Sequence, residues 1–222
     1  GIAKAKVINN GTDLSVFKPA DKNELRKTFS ISRNAIVLVY VVSSRLKLNA
    51  YKDYTTIQKA LECLQSKLPD DKEIIFLGLG EAGETERFDN LEKRFIPFMK
   101  DPLDVAKYYQ VADFYIHAAG ADNFPNVILE ALSCGTPVIA TKVGGIAEQI
   151  VNGKTGWLVP PQDYDAMADM ISRMIINVDK RQQMAIDAAN TAKEKFSLKK
   201  MADGYLDFYN EIRNDFFDKH NQ

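Results

Sequence analysis

Residues 113–140 read DFYIHAAGADNFPNVILEALSCGTPVIA, and the order of the apolar runs in this stretch indicates the class of fold. The runs Asp113–Ala118 and Thr136–Ala140 are short, apolar and bounded by turn-forming residues, which predicts two buried strands. Between them, Phe124–Cys134 is predicted to be a helix, with Pro125 in its first turn. A strand, a helix and a second strand in this order form a right-handed βαβ unit, so the two strands should run parallel.

The same alternation extends over most of the chain. Further strands are predicted at Ala35–Ser43, Glu73–Leu79, Arg94–Met99 and Trp157–Val159. Helices are predicted at Asn23–Phe29, around the stripe of Ile57, Leu61, Leu64 and Leu68, at Pro102–Val111, at Gly145–Val151 and over nearly everything after Asp163. Strands and helices that alternate at this spacing predict an α/β fold: a doubly wound parallel sheet, Rossmann-like, with a helical C-terminal extension.

The composition limits the kind of partner. The chain has 222 residues, of which 45% are apolar and 27% charged, as in ordinary globular proteins. Its 29 basic and 30 acidic side chains leave a net charge of -1, so we expect no binding to nucleic acid, and membrane contact is not evident. No apolar run approaches the roughly 20 residues of a membrane span. The two cysteines indicate a reducing compartment, and we expect a cytoplasmic protein.

In a sheet of this kind, ligands bind beyond the carboxyl ends of the strands, and four strand ends carry residues of interest. The first is Gly78–Gly83, which matches the pattern GxGxxG. A dinucleotide fingerprint, however, follows the first strand and needs an acidic residue about 20 positions later. Here the match follows the second strand, and the next strand ends in Pro97-Phe98-Met99. A plain turn is the favoured interpretation, with a dinucleotide site as the alternative.

The second strand end is Asp122–Glu130, which reads DNFPNVILE. We predict that Asp122 or Asn123 caps the following helix, whose free N–H groups and dipole suit a phosphate. Eight helical residues rise about 12 Å, so carboxylates at Asp122 and Glu130 would grip both ends of a nucleotide-sugar. Alternatively, Asp122 only caps the helix and Glu130 is solvated, although apolar neighbours make that an awkward place for an unpaired carboxylate.

The other two strand ends carry basic side chains. Arg45, Lys47 and Lys52 follow the first core strand, where cations would neutralise a diphosphate. For Lys47, a solvated loop is an equal alternative. His117 ends the strand before the acidic motif, and a lone histidine there is more often structural than ligand-binding.

Several of these motifs together match a known family pattern. Asp122 and Glu130 are separated by seven residues, and Ala131 and Gly135-Thr136-Pro137-Val138 follow. This arrangement resembles the signature of family 4 of the retaining glycosyltransferases with the GT-B fold: Glu, seven residues, Glu, then Ala-x-x-x-Gly-x-Pro-Val. Segments similar to the family also occur, in the same order, at Val7–Pro19, Ser44–Leu46 with Lys52, Phe76–Gly80, Gly144–Glu148 and Gly153–Val159.

The resemblance implies the C-terminal, donor-binding half of an enzyme for polysaccharide or glycoconjugate biosynthesis. Such an enzyme moves a sugar from a nucleoside diphosphate sugar to an acceptor with retention of anomeric configuration. Glu130 would hold the donor ribose, Arg45 and Lys52 the diphosphate, and Asp122 the transferred sugar; these four are the expected catalytic residues. The expected donor-binding residues are Arg45, Lys52, Phe98, Met99, Asp122, Asn123, Phe124, Pro125, Asn126 and Glu130. No metal or other cofactor is expected.

The resemblance also divides the chain. Residues 1–19 are expected to be an interdomain linker and first segment, 20–196 the Rossmann-like donor-binding domain, and 197–222 a C-terminal helix. The chain opens at Gly1 without an initiator Met, which favours a piece of a longer protein. An N-terminal acceptor domain of the same parent is therefore the expected partner, besides the donor. The parent is expected in the cytoplasm, with peripheral contact at the inner face of a membrane as an option.

Three departures from the family pattern stand out. Asp122 replaces the usual Glu, Ala118 and Ala119 stand where the family has a small serine, and Arg45 and Lys52 are spaced more widely than usual. Two other functions remain as alternatives. One is another enzyme class on the same architecture, a nucleotide-sugar epimerase or a phosphorylase. The other is a non-catalytic nucleotide-binding module in which Asp122 and Glu130 are relics.

Overall fold

A seven-stranded sheet forms the centre of the protein. The computed structural model describes residues 4–42, 52–69 and 71–220, with side chains through residue 216. The strands are β1 (Ile36–Val41), β2 (Ile74–Gly80), β3 (Glu86–Phe88), β4 (Leu91–Pro97), β5 (Phe114–His117), β6 (Val138–Thr141) and β7 (Gly156–Val159). Along the sheet they lie in the order β3-β4-β2-β1-β5-β6-β7.

Nearly every neighbouring pair of strands is parallel. β1 pairs with both β2 and β5, and β4, β6 and β7 extend the sheet in parallel register. The exception is β3, which lies antiparallel to β4 at the sheet edge. The predicted doubly wound α/β class is confirmed, and β3 is an addition that the sequence did not predict. The chain builds outward from β1 in one direction and then returns to β5, so the strand order reverses between β1 and β5, the usual place for a ligand crevice.

Helices cover both faces of the sheet. They are α1 (Lys22–Thr28), α2 (Tyr54–Lys67), α3 (Pro102–Val111), α4 (Asn126–Ser133), α5 (Ile146–Gln149), α6 (Tyr164–Ile176), α7 (Val178–Lys195) and α8 (Leu198–His220). The predicted helices are confirmed, with bounds shifted by a few residues. None of the described helices is both long and apolar enough to cross a membrane.

Two apolar layers hold these helices on the sheet. In β1, Val37 and Val39 pack in one layer with side chains of α3, α4 and α7. The alternate residues Leu38 and Tyr40 pack in the other layer with side chains of α2 and α6. Both sets are fully buried, which explains the unbroken apolar run of this strand: each face of a central parallel strand is covered by helices.

The first described residues run beside the C-terminal helices. Thr12 forms a parallel bridge to Ser197, its N–H donates to the Phe196 carbonyl over 2.8 Å, and its carbonyl accepts from Leu198 N over 3.0 Å. Further along α8, Lys4 Nζ lies 2.6 Å from Asp215 Oδ2. The opening segment and the helical extension therefore form one packed edge of the domain.

Candidate functional site

An open cavity lies at the carboxyl edge of the sheet, beside the reversal point between β1 and β5. Its volume is about 240 Å³. The ends of β1, β2 and β4 form one side, through residues that include Val42, Gly80 and Phe98, and α4 contributes Val127 and Glu130. The lining is mostly apolar, with Glu130 as its carboxylate. Such a cavity, mostly apolar with a carboxylate and the exposed Lys100 in its lining, suits a flat organic ligand that carries hydroxyl groups.

Glu130 is held in this cavity by a buried tyrosine. Its Oε2 accepts a hydrogen bond from Tyr109 Oη over 3.0 Å, and Tyr109 is fully buried on α3. Burial raises the pKa of Glu130, while the hydrogen bond from Tyr109 acts in the opposite direction. The side chain is half-buried and partnered, so the alternative of a solvated Glu130 is wrong.

Phe98 and Met99 line the same cavity as Glu130. The predicted strand ran from Arg94 to Met99, whereas β4 ends at Pro97, so Phe98 and Met99 follow the strand instead of ending it. Phe98 is 61% exposed, whereas Met99 packs against the core. An aromatic ring that stays exposed beside an apolar cavity is available to a ligand, so three of the predicted donor-binding residues meet at one place.

A second cluster of polar side chains surrounds the end of β5. Lys52 Nζ lies 2.7 Å from Asp122 Oδ2 and 3.2 Å from His117 Nε2. On the other side of the imidazole, Nδ1 lies 2.8 Å from Tyr115 Oη. Although burial opposes it, hydrogen bonds and charge from His117 and Lys52 lower the pKa of Asp122 to about 2. Burial lowers the pKa of His117 to about 4, so the imidazole is neutral at pH 7.

The backbone brings Lys52 to this cluster. Lys52 forms an antiparallel bridge with Ala119, and Asp53 N donates to the Ala118 carbonyl over 3.0 Å. Asp53 then caps α2 by accepting from Thr56 N over 3.0 Å. The residues just before α2 are thus tied to the residues just after β5. Arg45 and Lys47, predicted to act with Lys52, lie outside the described residues.

The segment before α4 differs from the prediction. The helix begins at Asn126, its N-cap is Pro125, and no side chain of the described residues caps it. The predicted cap by Asp122 or Asn123 is therefore wrong, and so is the 12 Å span inferred from a helix that would include Asp122. Because a proline disfavours helical backbone in the residue before it, Phe124 stays outside the helix. Asp122 is free to face Lys52 instead.

Two glycines fix the position of this segment. A Cβ on Gly144 would lie 2.0 Å from the Asp122 carbonyl oxygen, and one on Gly145 would lie 1.7 Å from that of Asn123. Gly144 also has a φ of +46°. Only glycine allows the chain after β6 to approach Asp122 this closely. The sequence identifies Gly144–Glu148 as a segment similar to the family, and the structure adds its contact with the acidic segment.

The remaining predicted donor-binding residues, Asn123–Asn126, lie at the start of α4. The Pro125 carbonyl accepts from the buried Gln149 Nε2 over 3.0 Å. Asn126 Oδ1 accepts from Asn10 Nδ2 over 3.2 Å, and Phe124 packs edge-on against Phe196 with ring centroids 6.0 Å apart. Asn123 and Asn126 are exposed. The structure brings these residues to the same sheet edge as Asp122.

The GxGxxG match is a turn at the end of β2. Gly80 has a φ of +118°, and a Cβ there would lie 2.0 Å from the Val42 carbonyl oxygen. The glycine is required by backbone conformation and by close approach of β1, which supports the interpretation as a plain turn.

Tyr109 and Tyr115 are the site residues that sequence reasoning missed. Both are fully buried, and their ring centroids lie 5.7 Å apart. Each resembles ordinary core in the sequence. The contact with Glu130 of α4 reveals the place of Tyr109 in the site, and the hydrogen bond with His117, two residues along the same strand, reveals that of Tyr115.

These features define the class of protein: a Rossmann-like α/β domain with an apolar cavity and a carboxylate–lysine pair at the carboxyl edge of its sheet. The chain belongs to the glycosyl transferases group 1 family, whose family model matches residues 21–191. This membership agrees with the glycosyltransferase resemblance of the sequence motifs.

Individual relatives agree with the family. The chain is 29% identical over 205 residues to a D-inositol 3-phosphate glycosyltransferase of Kribbella flavida, a match that covers 86% of this chain and 47% of the relative. Among solved structures, Anabaena Alr3699/HepE in complex with UDP-glucose superposes with a TM-score of 0.74 at 23% identity, over 93% of this chain and 57% of that one. The C-terminal domain of a glycosyl transferase group 1 family protein (LpcC) from Francisella tularensis superposes with a TM-score of 0.68 at 22% identity, over 85% of this chain and 100% of that one.

The extent of these matches is itself informative. The chain spans about half the length of the curated relatives that it matches. The match with the isolated Francisella domain, in contrast, covers that chain completely. The described fold therefore resembles the fold of that isolated domain.

Proposed function

We propose that this chain is the donor-binding domain of a retaining glycosyltransferase of family 4, which transfers a sugar from a nucleoside diphosphate sugar to an acceptor. One observation carries the proposal: the fold brings the Lys52–Asp122 pair and the Glu130 cavity to the same edge of the sheet. Membership of the glycosyl transferases group 1 family supports it.

The cavity is the proposed site of the nucleoside. The base would lie on the apolar wall near Phe98 and Met99, and Glu130 would accept hydrogen bonds from the ribose hydroxyls. A carboxylate suits this role because it has two acceptor oxygens. Tyr109 occupies one side of Oε2, which leaves the remaining acceptor positions of Glu130 for the ribose.

The diphosphate is proposed to lie between this cavity and Asp122. Lys52 is 15% exposed at its side chain and already has a carboxylate partner, so it is a preorganised cation at the sheet edge. Arg45 is proposed to act beside it. The first turn of α4, which has no side-chain cap among the described residues, offers backbone N–H groups and a positive helix end to a phosphate.

The transfer step follows from these placements. The bond between the anomeric carbon and the diphosphate oxygen breaks, the acceptor oxygen bonds to the same face of the sugar, and the proton of the acceptor hydroxyl passes to the departing diphosphate oxygen. Lys52, Arg45 and the backbone of Phe124–Asn126 would stabilise the charge that develops on the departing diphosphate. Asp122, with Asn123, would orient the transferred sugar. We propose that these groups, rather than a metal ion, balance the leaving charge.

An acceptor domain elsewhere in the parent protein is the proposed partner. The curated relatives are about twice as long as this chain, which supports a second domain. Exposed apolar side chains on α8, which include Leu206, Tyr209 and Ile212, support a surface that another part of the parent covers. The balanced charge and the free cysteines Cys63 and Cys134 support a cytoplasmic location.

Product analysis with the full-length parent tests this function. The parent is incubated with UDP-, GDP- and ADP-sugars and candidate acceptors, and the anomeric configuration of the product is determined by NMR. Transfer with retention is the expected result. An epimerised free nucleotide-sugar would identify an epimerase instead, and phosphate-dependent release of a sugar phosphate would identify a phosphorylase. No turnover of any donor would leave a non-catalytic binding module.

The isolated chain is expected to behave differently from its parent. It should bind the donor but transfer little or nothing, since the acceptor groups lie elsewhere. Transfer by these 222 residues alone, at a rate comparable with the parent, would contradict the proposal that donor and acceptor bind to different domains.

A further inference from the structure

We propose that His117 is a positioning residue that acts through Lys52: its neutral imidazole accepts a hydrogen bond from the ammonium group and fixes the direction in which that group faces the donor diphosphate. This inference rests on the proposed function, because it assigns a diphosphate to Lys52. It adds a residue that the motif resemblance does not include.

The partners of His117 determine which nitrogen carries the proton. Lys52 Nζ lies 3.2 Å from Nε2, and an ammonium group can only donate, so Nε2 must be the acceptor. Nδ1 then carries the proton and donates to Tyr115 Oη over 2.8 Å. The opposite tautomer would direct an N–H at the ammonium of Lys52. Asp122 Oδ2, the other candidate partner of Nε2, is farther away at 3.5 Å.

Burial explains why a neutral ring is suited to this place. The His117 side chain is 0% exposed, so an imidazolium would be a buried cation next to a second cation. A carboxylate in its place would give Lys52 a second anionic partner and cancel its charge. A neutral acceptor adds direction without changing the charge that Lys52 presents. The low pKa of His117, about 4 because of burial, agrees with this arrangement.

The number of donors on Lys52 leaves room for a ligand. An ammonium group has three N–H bonds, and His117 and Asp122 take two of them among the described residues. With two bonds fixed, the third has one direction rather than a cone of directions. His117 thereby lowers the entropy that Lys52 loses when a diphosphate binds.

The tautomer is tested without any ligand. The ring nitrogens of His117 are observed by long-range ¹H–¹⁵N NMR in this chain and in Lys52→Met. We expect the Nδ1–H tautomer in the wild type, and a clear change of the Nε2 chemical shift when Lys52 is replaced. An Nε2–H tautomer, or an Nε2 signal that is the same in both proteins, would overturn the proposal.

A double-mutant cycle of His117 and Lys52 tests the role in binding. Calorimetry measures the affinity for UDP, or for GDP or ADP where one of these binds more tightly. His117→Phe is expected to weaken binding roughly tenfold in the wild-type background and to have almost no effect in Lys52→Met. His117→Gln, which retains an acceptor, should recover much of the affinity. Binding of the matching nucleoside without phosphates should be unchanged.

Equal losses from His117→Phe in both backgrounds would show that the residue acts through packing alone and would overturn the proposal. If His117→Phe does not fold, Tyr115→Phe, which removes the partner of Nδ1, takes its place, and its loss of binding must likewise disappear in Lys52→Met; an equal loss in both backgrounds would overturn the proposal. If the wild type binds none of the three nucleotides, the proposed function fails, whereas the NMR experiment still decides whether His117 orients Lys52.

Discussion

Tyr109 Oη donates a hydrogen bond to Glu130 Oε2 over 3.0 Å, from a ring that is fully buried between helix and sheet. The Glu130 carboxylate, which lines the cavity, is therefore held in place by a hydrogen bond from a core residue. Tyr109 itself is held by the core, with the Phe17 and Tyr115 rings at centroid distances of 6.2 and 5.7 Å. The geometry of the site thus depends on ordinary core packing.

The first prediction concerns the hydroxyl of Tyr109. Its hydrogen bond opposes the rise in the pKa of Glu130 that burial causes, so Tyr109→Phe should raise that pKa further. Nucleotide binding is lost as Glu130 becomes protonated at low pH, and the midpoint of this loss should move to higher pH in the variant. Calorimetric titrations at a series of pH values measure the midpoint. Tyr108→Phe, on the same helix, is the matched control, and an equal shift in both variants would contradict the role of Tyr109.

The second prediction concerns stability at Glu130. Because burial raises its pKa in the folded state, the ionised side chain costs stability at pH values above that pKa. Glu130→Gln removes this charge and keeps an acceptor for Tyr109, so it should stabilise the unliganded protein at pH 7 by on the order of 1 kcal/mol. The gain should disappear at low pH, where Glu130 is protonated. Urea unfolding at pH 7 and at low pH measures the change in the free energy of unfolding, and Glu24→Gln, at an exposed position, is the control. A Glu130→Gln variant that is less stable than the wild type at pH 7 would refute the prediction.

The third prediction concerns Gly144 and Gly145, which contact the backbone of Asp122 and Asn123. A Cβ on Gly145 would lie 1.7 Å from the Asn123 carbonyl oxygen, so Gly145→Ala must displace residues 122–123. We expect nucleotide binding to weaken by about tenfold or more, because a misplaced segment loses its contact geometry. Gly120→Ala is the control, since a Cβ there meets nothing within 4 Å. Similar affinities in the two variants would show that this segment does not take part in binding.

The fourth prediction is a pH dependence of stability. The folded-state pKa of His117 is about 4, below the unfolded value of 6.5, so the unfolded chain binds the additional proton between these pH values. Stability should therefore decrease as the pH falls from about 6.5 to 4, by about 3 kcal/mol from this residue. His117→Gln should lose that part of the slope, and His220→Gln measures the contribution of the other histidine. An unchanged slope in His117→Gln would mean that His117 titrates normally in the folded protein.

Much of the fold was predictable because burial on both faces leaves a simple pattern. The continuous apolar run of β1 and the apolar stripe of α2 identified a central strand and a covering helix directly. β3 was not predictable in the same way, because Glu86-Arg87-Phe88 is short, charged and at the sheet edge. Its pairing with β4 depends on tertiary contact rather than on a local apolar pattern.

Site residues were predictable where the order of strands and helices alone determines their location. Glu130 lies on the predicted helix, and Phe98 and Met99 are the last residues of a predicted strand, so their meeting at the sheet edge follows from topology. The predicted start of α4 at Phe124 is wrong, because Pro125 disfavours helical backbone at Phe124 and the helix begins at Asn126. The contacts Tyr109–Glu130 and Lys52–His117 join elements that are distant in sequence, and such contacts leave no local signal.

Calorimetric titration of this chain with UDP, GDP and ADP tests whether the cavity at Glu130 binds a nucleotide donor. The wild type should bind at least one of the three with micromolar to millimolar affinity. Glu130→Gln should weaken that binding about tenfold or more, whereas Glu24→Gln should leave it unchanged. No measurable heat with any of the three nucleotides at high protein concentration, or equal affinity in the wild type and Glu130→Gln, would contradict a donor site built around Glu130.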